Sequence, residues 1–254
     1  MNVNENNSYK VLARKYRPET FKDLVGQAAM VQTLKNAFVA VRIAQAFILT
    51  GIRGTGKTTT ARIIAKVLNC IGLDQKGGPT VEPCGKCSNC TAIIEGNHFD
   101  VLEMDAASRT GVDDIREIIE SIYYKASSGL FRVYIIDEVH MLSKNAENAF
   151  LKTLEEPPPH IVFILATTEK NKILPTILSR CQIYDFNRIS ENEIAENLKQ
   201  ICVKEGVKFE DQALLIIAKK SDGSLRDSLT ILDRVVNFTN KHICLLYTSD
   251  AADE

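Results

Sequence analysis

Two neighbouring stretches of this sequence contain residue types that bind ligands. The first is GIRGTGKT at residues 51–58, which follows an apolar run, opens a helical pattern and fits G-x-x-x-x-G-K-[ST] completely. Glycines let such a loop curl until its backbone N–H groups face phosphates, and the following helix N-terminus favours their negative charge. The pattern predicts a nucleotide site in which Lys57 reaches the β- and γ-phosphates and Thr58 binds Mg²⁺. A chance glycine-rich turn is the alternative, and the complete motif disfavours it.

The second stretch contains cysteines. Cys84, Cys87 and Cys90 are each separated by two residues, and Cys70 precedes Cys84 by a 13-residue loop. These spacings let thiolates converge on one Zn²⁺ with Cys70 as the fourth ligand, and four sulfurs with no open position make a structural site. Uncoordinated thiols are the alternative. The other cysteines have no partner at ligand spacing and are expected to be small buried apolar residues: Cys181, Cys202 and Cys244.

The acidic residues of a nucleotide site are expected at the end of a buried strand, and RVYIIDEVH at residues 132–140 supplies them. Asp137 would hold Mg²⁺ through water, and Glu138 would orient and polarise the attacking water. A strand that ends in Asp-Glu is by itself more often a solvated strand end, but this one lies 80 residues after Lys57, one strand–helix unit further on. His140 is expected to pack or to form hydrogen bonds, with no part in the chemistry.

Short apolar runs alternate with amphipathic stretches, the pattern of a parallel sheet covered by helices. Strands are predicted at residues 46–50, 100–105, 132–137, 161–168 and 182–186. Helices are predicted between them at residues 57–69, 112–124 and 145–156, the last ended by three consecutive prolines. Beyond residue 190 the strands are expected to stop, and helices are predicted at residues 190–206, 210–221 and 224–239. A domain boundary is therefore expected near residues 187–190.

Composition limits the classes of protein to consider. The chain of 254 residues contains no apolar stretch typical of a signal peptide or a membrane span, so we expect a cytoplasmic protein with no membrane partner. Seven cysteines in such a compartment are poor disulfide candidates, because a reducing cytosol favours free thiols, metal binding or catalysis. A net charge of −1 gives no overall attraction to nucleic acid, so any DNA contact requires a local patch or several subunits.

Several longer segments carry a resemblance to a known family: RKYRPETFKDLVGQ, GIRGTGKTTTARIIAK, PCGKCSNC, DAASRTGVDDIRE, IIDEVHMLSKNAENAFLKTLEEPPPHIVFILATTEKNKILPTILSRC and SDGSLRDSLTILD. In this order they resemble the bacterial DNA polymerase III gamma/tau subunits, ATPases of the sliding-clamp loader in the AAA+ superfamily, over about residues 9–243. Phe150 stands where a leucine is usual, which we expect to be a packing variation. The resemblance implies an α/β AAA+ P-loop NTPase with a five-stranded parallel sheet, a zinc-module insertion and a small helical lid domain.

The resemblance also implies a division of the chain into domains. A nucleotide-binding domain is expected at residues 1–187, with the zinc module at residues 70–90, and the lid domain at residues 188–243. Residues 244–254 match nothing in the family, so the helical collar that holds family subunits in a ring is expected to be absent. In the family the zinc module is inserted after the P-loop helix, where the metal stabilises a long loop and does not contact ATP.

Several residues receive a role only through the resemblance. Thr168 aligns with the sensor-1 position, which contacts the γ-phosphate or the attacking water, and Thr167 is the second choice. Arg180 aligns with the arginine finger that enters the ATP site of a neighbouring subunit, and Arg226 with the sensor-2 arginine that reaches the γ-phosphate in its own subunit. A capping threonine and two surface salt-bridge arginines are the alternatives. The catalytic residues implied are Lys57, Asp137, Glu138, Thr168, Arg180 and Arg226.

The cofactors implied are ATP, Mg²⁺ and Zn²⁺. Val25, in the segment that packs near the adenine in the family, is the expected adenine contact. The implied nucleotide-binding residues are Val25, Gly51, Gly54, Thr55, Gly56, Lys57, Thr58, Thr59 and Arg226. The implied metal ligands are Thr58 and Asp137 for Mg²⁺, and Cys70, Cys84, Cys87 and Cys90 for Zn²⁺.

Two functions from different classes compete. One is an ATP-hydrolysing motor that opens a ring clamp and places it on primer-template DNA, and the other is an AAA+ adaptor that has lost hydrolysis. The motor is favoured by the complete set Lys57, Thr58, Asp137 and Glu138, since an adaptor has no need of all four. A P-loop helicase is disfavoured by the cysteine cluster and the SRC segment. The implied partners are the other subunits of a ring-like hetero-pentamer, the sliding clamp, and DNA bound through its backbone. Arg109 and Lys144, each at a predicted helix start, are the candidate DNA contacts, with ordinary helix caps as the alternative.

Overall fold

The computed structural model describes residues 10–40, 42–74, 76–108, 112–122, 124–239 and 242–244. Within them the chain forms two compact units, one at residues 19–187 and the other combining residues 10–18 with residues 188–244. The N-terminal segment therefore groups with the helical unit, although the sequence placed it with the nucleotide-binding domain. The reason lies in its contacts: α1 (Leu12–Lys15) packs against α10 (Leu225–Phe238), and Lys15 and Tyr16 both contact the Glu205 carboxylate.

The larger unit contains a five-stranded sheet in which every pair of neighbours is parallel. Its strands are β1 (Ala46–Thr50), β2 (Val101–Asp105), β3 (Arg132–Asp137), β4 (Ile161–Thr167) and β5 (Gln182–Asp185), in the order β2-β3-β4-β1-β5. The predicted strands are thus confirmed to within one residue at each end. Because the strands are parallel, their carboxyl ends share one edge of the sheet, where ligands of open α/β sheets bind.

Helices cover both faces of this sheet. They are α2 (Ala28–Val39), α3 (Lys57–Asn69), α4 (Ser88–Glu95), α5 (Val112–Ser121), α6 (Lys144–Glu155) and α7 (Pro175–Leu178). The predicted α3 and α6 are confirmed, and α5 ends earlier than predicted. The sequence analysis missed α2 and α4. α2 is nonetheless amphipathic, because it buries Met30, Val31, Leu34 and Phe38 along one face.

The core lies in two layers, one on each face of the sheet. α2 and α3 pack on one face with Phe47 and Leu49 of β1, and α6 packs on the other with Ile48. Phe150 of α6 is fully buried, with its ring edge-on to that of Phe163 at 4.8 Å between centroids. The phenylalanine at this position is therefore a packing variation, as predicted.

The smaller unit is mainly helical, with α8 (Glu191–Glu205), α9 (Asp211–Lys220) and α10. α8 begins at a capping box between Ser190 and Glu193 and ends at Gly206, whose φ of 65° suits a left-handed cap. Two short strands, β6 (Lys208–Phe209) and β7 (His242–Ile243), pair in parallel. The expectation that no strand follows residue 190 is therefore wrong. No helix in the described part of the chain is long and apolar enough to cross a membrane.

Candidate nucleotide site and metal centre

The predicted phosphate loop connects β1 to α3 at the carboxyl edge of the sheet. Gly51 and Gly56 have φ of 146° and 103°, in the region that favours glycine. A β-carbon at Gly51 would lie 2.7 Å from the Phe186 carbonyl oxygen, so the residue after β5 also requires glycine there. Thr55 donates a hydrogen bond to the Ile52 carbonyl at 2.9 Å, which closes the loop on itself. The local sequence thus imposes the curled shape.

Lys57 is the first residue of α3, and only 6% of it is exposed. Its Nζ donates to the carbonyl oxygens of Gly51 and Ile52 at 2.7 and 2.9 Å, so the ammonium lies within the curl of the loop. Burial lowers the pKa of Lys57, and the carboxylates of Glu138 and Asp137 oppose that shift. The two acids therefore favour the charged form that a phosphate requires.

The side chains of Thr58 and Asp137 meet where β3 ends beside α3. The Thr58 hydroxyl donates to Asp137 Oδ2 at 2.6 Å, although 79 residues separate the two in sequence. The backbone N–H of Glu138 donates to Asp137 Oδ1 at 3.0 Å. Hydroxyl and carboxylate oxygens are the ligands that Mg²⁺ prefers, so these residues fit the ion.

β4 lies between β1 and β3; Thr167 is its last residue and Thr168 follows directly. The Thr168 hydroxyl donates to Glu138 Oε2 at 3.0 Å, and its backbone N–H lies 3.3 Å from the same oxygen. The Thr167 hydroxyl instead lies 2.9 Å from His140 Nδ1 and accepts the backbone N–H of Glu169 at 3.0 Å. Thr168, the first choice for sensor 1, is thus the threonine that touches Glu138.

His140 lies beside the same carboxylate. Its side chain is 6% exposed, with Nδ1 at 3.4 Å from Glu138 Oε2 and Nε2 at 3.5 Å from Glu169 Oε1. Sequence reasoning predicted a packing or hydrogen-bonding role for His140, which these contacts confirm. It missed Glu169 altogether, because an exposed acid in a loop has no distinguishing pattern.

The segment expected near the adenine is anchored to the end of β5. Gln27 is 3% exposed, and its side-chain amide both donates to the Asn187 carbonyl at 2.8 Å and accepts the Asn187 N–H at 3.3 Å. A cavity of about 320 Å³ lies beside this anchor, between the first turns of α2 and the edge strand β5. Val25, which is half-buried, precedes it in the turn but is not among the lining residues. Sequence reasoning gave Gln27 no role.

The two arginines predicted to reach ATP lie in different units. Arg180 is held within its own unit, where Nη1 donates to the Thr176 carbonyl and Nη2 to Glu155, each at 2.7 Å. Arg226 is exposed on the first turn of α10 in the smaller unit. Of the predicted DNA contacts, Lys144 is exposed at the start of α6, and Arg109 lies outside the described residues.

The four predicted zinc ligands come together at the far end of α3. The Sγ atoms of Cys70, Cys84, Cys87 and Cys90 all lie within 4.8 Å of one another. Zn–S bonds of about 2.3 Å in a tetrahedron place sulfurs about 3.8 Å apart, so the cluster fits a structural zinc ion. Backbone N–H groups also point at the thiols, from Cys84 to Cys70 Sγ at 3.3 Å and from Cys87 to Cys84 Sγ at 3.3 Å.

The thiols differ in acidity. The Lys86 backbone N–H, opposed by burial, lowers the pKa of Cys84 to about 6, whereas burial raises the pKa of Cys90. A cation would be needed to ionise the buried thiol. Among the other cysteines, Cys202 is buried as predicted, and Cys181 and Cys244 are only half-buried.

The sheet is parallel and has this strand order, its inner strand β1 leads into a phosphate loop, and acids lie at the end of β3. These features define a AAA+ P-loop nucleotide-binding protein with a helical lid. The family described as "DNA polymerase III, delta subunit" matches residues 26–190, and the "DNA polymerase III clamp loader subunit, ATPase lid domain" matches residues 193–241. The chain therefore belongs to the DNA polymerase III clamp-loader family.

Similar proteins within that family are gamma and tau subunits. The chain is 47% identical to DNA polymerase III subunit tau/gamma of Haemophilus influenzae over 93% of its length and 34% of the relative. It is 48% identical to subunit gamma of Buchnera aphidicola over 93% of its length and 62% of the relative. It is 47% identical to subunit tau of Bacillus subtilis over 91% of its length and 40% of the relative. The chain thus spans between about one third and two thirds of these curated relatives.

Solved structures of similar fold include RuvB of Thermotoga maritima, described as a Holliday junction branch migration motor. The TM-score is 0.66 at 20% identity, over 94% of this chain and 72% of RuvB. A structure of a single-residue variant of the same RuvB gives the same values. At this identity the likeness concerns the fold alone.

Proposed function

We propose that this chain is the ATP-hydrolysing motor region of a bacterial clamp loader, which couples ATP binding and hydrolysis to loading of the sliding clamp onto primed DNA. The names of its gamma and tau relatives support the assignment. The observation that carries it is the contact between Thr58 and Asp137 at 2.6 Å, which joins the phosphate loop to the acidic end of β3.

In this proposal each residue of the cluster has a defined task. Lys57 neutralises the β- and γ-phosphates, while backbone N–H groups of the glycine-rich loop, including Gly54, Thr55 and Thr59, surround them. Thr58 and Asp137 hold Mg²⁺, which when bound neutralises charge that develops on the phosphate oxygens. Glu138 orients and polarises the attacking water.

Thr168 supports Glu138 in this scheme, because it donates to the carboxylate oxygen from the neighbouring strand. A carboxylate held by a hydroxyl and a backbone N–H keeps one orientation, and the second oxygen stays available to accept a hydrogen bond from water. We assign Thr168, rather than Thr167, to the sensor-1 role on this contact. Val25 remains the proposed adenine contact.

Two arginines would stabilise the negative charge of the transition state. Arg180 would act on the ATP of a neighbouring subunit, for which its bond to Glu155 at 2.7 Å would have to exchange with phosphate. Arg226 would act on the ATP of its own subunit. An arginine finger is worth about 10³ to 10⁵ in rate in the enzymes where it has been characterised. The isolated chain should therefore turn ATP over slowly.

The cysteine cluster is proposed to hold one structural Zn²⁺ with Cys70, Cys84, Cys87 and Cys90 as ligands. Four thiolates leave no open coordination position, so the ion would stabilise the loop and take no part in hydrolysis. We further propose a cytoplasmic location and, as partners, the other loader subunits, the sliding clamp and the DNA backbone.

A non-hydrolysing adaptor remains the competing function. Adaptors need the fold but not the reaction, so a complete set of Lys57, Thr58, Asp137 and Glu138 favours the motor. Within this set, Thr58 and Glu138 both contact Asp137. The test is ATP turnover by this chain alone and within a loader reconstituted with partner subunits, clamp and primed DNA. The motor requires slow turnover alone, strong stimulation in the loader, and loss of both on Lys57→Ala. Binding of ATP without turnover in the loader would identify an adaptor.

A further inference from the structure

Two buried asparagines flank the cysteine cluster. Asn69 ends α3 immediately before Cys70 and is 1% exposed, and Asn89 lies in α4 immediately before Cys90 and is 5% exposed. Burying a side-chain amide is costly unless its hydrogen bonds are made. The hydrogen-bond partners of these two amides therefore indicate what the two asparagines do in the fold.

Asn69 pairs with the backbone of the residue that precedes β3. Its Oδ1 accepts the Phe131 N–H at 2.9 Å, and its Nδ2 donates to the Phe131 carbonyl at 2.9 Å. One side chain thus satisfies both backbone groups of Phe131, as a neighbouring strand would. The fit is close, because a β-carbon at Gly129 would lie 2.5 Å from Asn69 Oδ1.

Asn89 contacts both Asn69 and the loop that precedes Phe131. Its Nδ2 donates to the Asn69 carbonyl at 2.9 Å and to the Ser128 carbonyl at 3.1 Å. From the other side, the Asp100 carboxylate accepts the N–H groups of Ser127, Ser128 and Gly129 at 2.8, 2.6 and 2.8 Å. Residues 127–131 are therefore held between Asp100 and the two asparagines.

A metal ion bound by the cysteines would restrain both asparagines. Cys87 precedes α4 as its cap, and Cys90 lies in its first turn, so a bound ion fixes the turn that carries Asn89. Asn69 is the last residue of α3, and Cys70 follows it. An ion bound by Cys70 would therefore restrain the end of this helix and Asn69 with it. Loss of metal should thus release the asparagine side of the clamp and leave the Asp100 side.

We propose that Asn69 and Asn89 are positioning residues through which the metal centre orders residues 127–131, the loop that leads into β3. The inference rests on the zinc site proposed above and extends the metal-dependent region well beyond residues 70–90. It should end where β3 begins, because residues 133–136 pair with both β2 and β4. Asp137 and Glu138 should keep their positions when the metal is removed.

The test is hydrogen exchange of the chain with zinc bound, after chelation and after zinc is restored, with zinc content measured in each sample. Removal should speed exchange at residues 70–90 and at the Phe131 N–H, by roughly tenfold for a group that loses its hydrogen bond. Smaller changes are expected at residues 127–129, whose N–H groups Asp100 still binds. Residues 133–137 and α8 should not change, and added zinc should restore protection.

Asn89→Ala separates the asparagine link from the metal itself. This variant should retain zinc, exchange faster at residues 127–131 with the metal bound, and respond to chelation there less than the wild type does, because only the link through Asn69 remains. Asn97→Ala is the control, because Asn97 is exposed and contacts Glu95 instead. If Asn89→Ala does not fold, the wild-type chelation experiment decides alone.

The outcomes distinguish the two proposals. A chain that never binds zinc would overturn the zinc site and this inference together. A chain that binds zinc and keeps residues 127–131 equally protected without it would overturn only the inference. An Asn89→Ala variant whose loop still responds to chelation as the wild type does would also overturn it.

Discussion

The two ends of α3 carry different chemistry in different surroundings. At its first turn, Lys57 and Thr58 belong to a cluster contributed by the ends of several strands, and its members already contact one another. At its last turn, Asn69 and Cys70 join a loop whose buried apolar cluster is made of cysteines with Ile71 packed against them. The first site is supported by the sheet, whereas the second is proposed to depend on a bound metal ion.

The helix that separates the two sites is 13 residues long, or about 20 Å at 1.5 Å per residue. Its middle is fully buried in the sheet's core, at Ile63, Ile64, Val67 and Leu68. A rigid, buried helix should not transmit the loss of one site to the other. Changes at either end should therefore have separate effects, which the following variants examine.

Glu138→Gln should have the largest effect, on the sheet-supported site alone. A positioned general base contributes about 10² to 10⁴ in rate, so ATP turnover should fall by that factor while ATP affinity and zinc content stay unchanged. Single-turnover hydrolysis and nucleotide binding would measure this. Glu156→Gln is the control, because Glu156 is exposed at the end of α6, away from the site. A decrease of less than about fivefold, well below the range of a general base, would exclude Glu138 as the base.

Cys90→Ser should damage the other end alone. Changing outer-shell partners of a metal costs about 10–100-fold in affinity, so losing a direct ligand should cost at least about 100-fold. Zinc content and exchange at residues 70–90 would report this, with Cys202→Ser as the buried control outside the cluster. A Cys90→Ser protein whose ATP affinity falls as much as its zinc affinity would show that the two ends of α3 are coupled.

Asp100→Asn should destabilise the larger unit in a pH-dependent way. Burial alone raises the pKa of Asp100, but the N–H groups of Ser127, Ser128 and Gly129 outweigh it, so the pKa lies below its usual range. The Asp100 carboxylate therefore stabilises the fold fully at pH values above its pKa in the unfolded chain, which is about 4. This stabilisation is lost as the pH falls through the lower pKa that Asp100 has in the folded chain.

At pH 7 the substitution should cost about 2 kcal/mol, since hydrogen bonds to a charged group are worth about 1.5–3 kcal/mol and one amide donor would now face backbone donors. Urea unfolding of wild type and variant at pH 7 and at progressively lower pH measures the difference. The difference in unfolding free energy between wild type and variant should become smaller below about pH 4. A difference independent of pH would mean that the charge of Asp100 contributes nothing.

Much of this arrangement is visible in the sequence, for identifiable reasons. The phosphate loop and the cysteine cluster depend on residues close in sequence, where spacing alone restricts geometry. β1, β3 and β4 are largely apolar runs, typical of buried parallel strands, so their positions could also be predicted. The resemblance to a family supplied Thr168, which no local pattern distinguishes from Thr167.

The parts that could not be predicted depend on contacts between distant residues. Gln27 and Asn187 are 160 residues apart, and Asn69 and Phe131 are 62 apart, so nothing in either neighbourhood indicates the pairing. α2 begins after Gln27 without a capping side chain and with no acidic residue in its first turn, so the usual signals of a helix start are absent. The grouping of residues 10–18 with the helical unit depends in the same way on Glu205, far along the chain.

Lys144→Ala should have the smallest effect, and only when DNA is present. Removing one cation from a DNA phosphate weakens binding across all sequences and reduces the salt dependence by about one unit, so DNA-stimulated turnover of a reconstituted loader should fall about twofold near 0.1 M salt. Lys152→Ala, an exposed lysine at the other end of α6, should not reduce it.

Unfolding would not explain a loss of stimulation in Lys144→Ala. A cation at the first position of a helix opposes the helix dipole, and alanine has the best helix propensity, so the substitution should leave α6 as stable or slightly more stable. A loss of DNA stimulation with unchanged basal turnover and equal thermal stability would therefore place Lys144 at the DNA. Full stimulation in the double variant with Arg109→Ala would remove both residues from the DNA-binding surface, and tight binding of DNA by the lone chain would require contacts elsewhere.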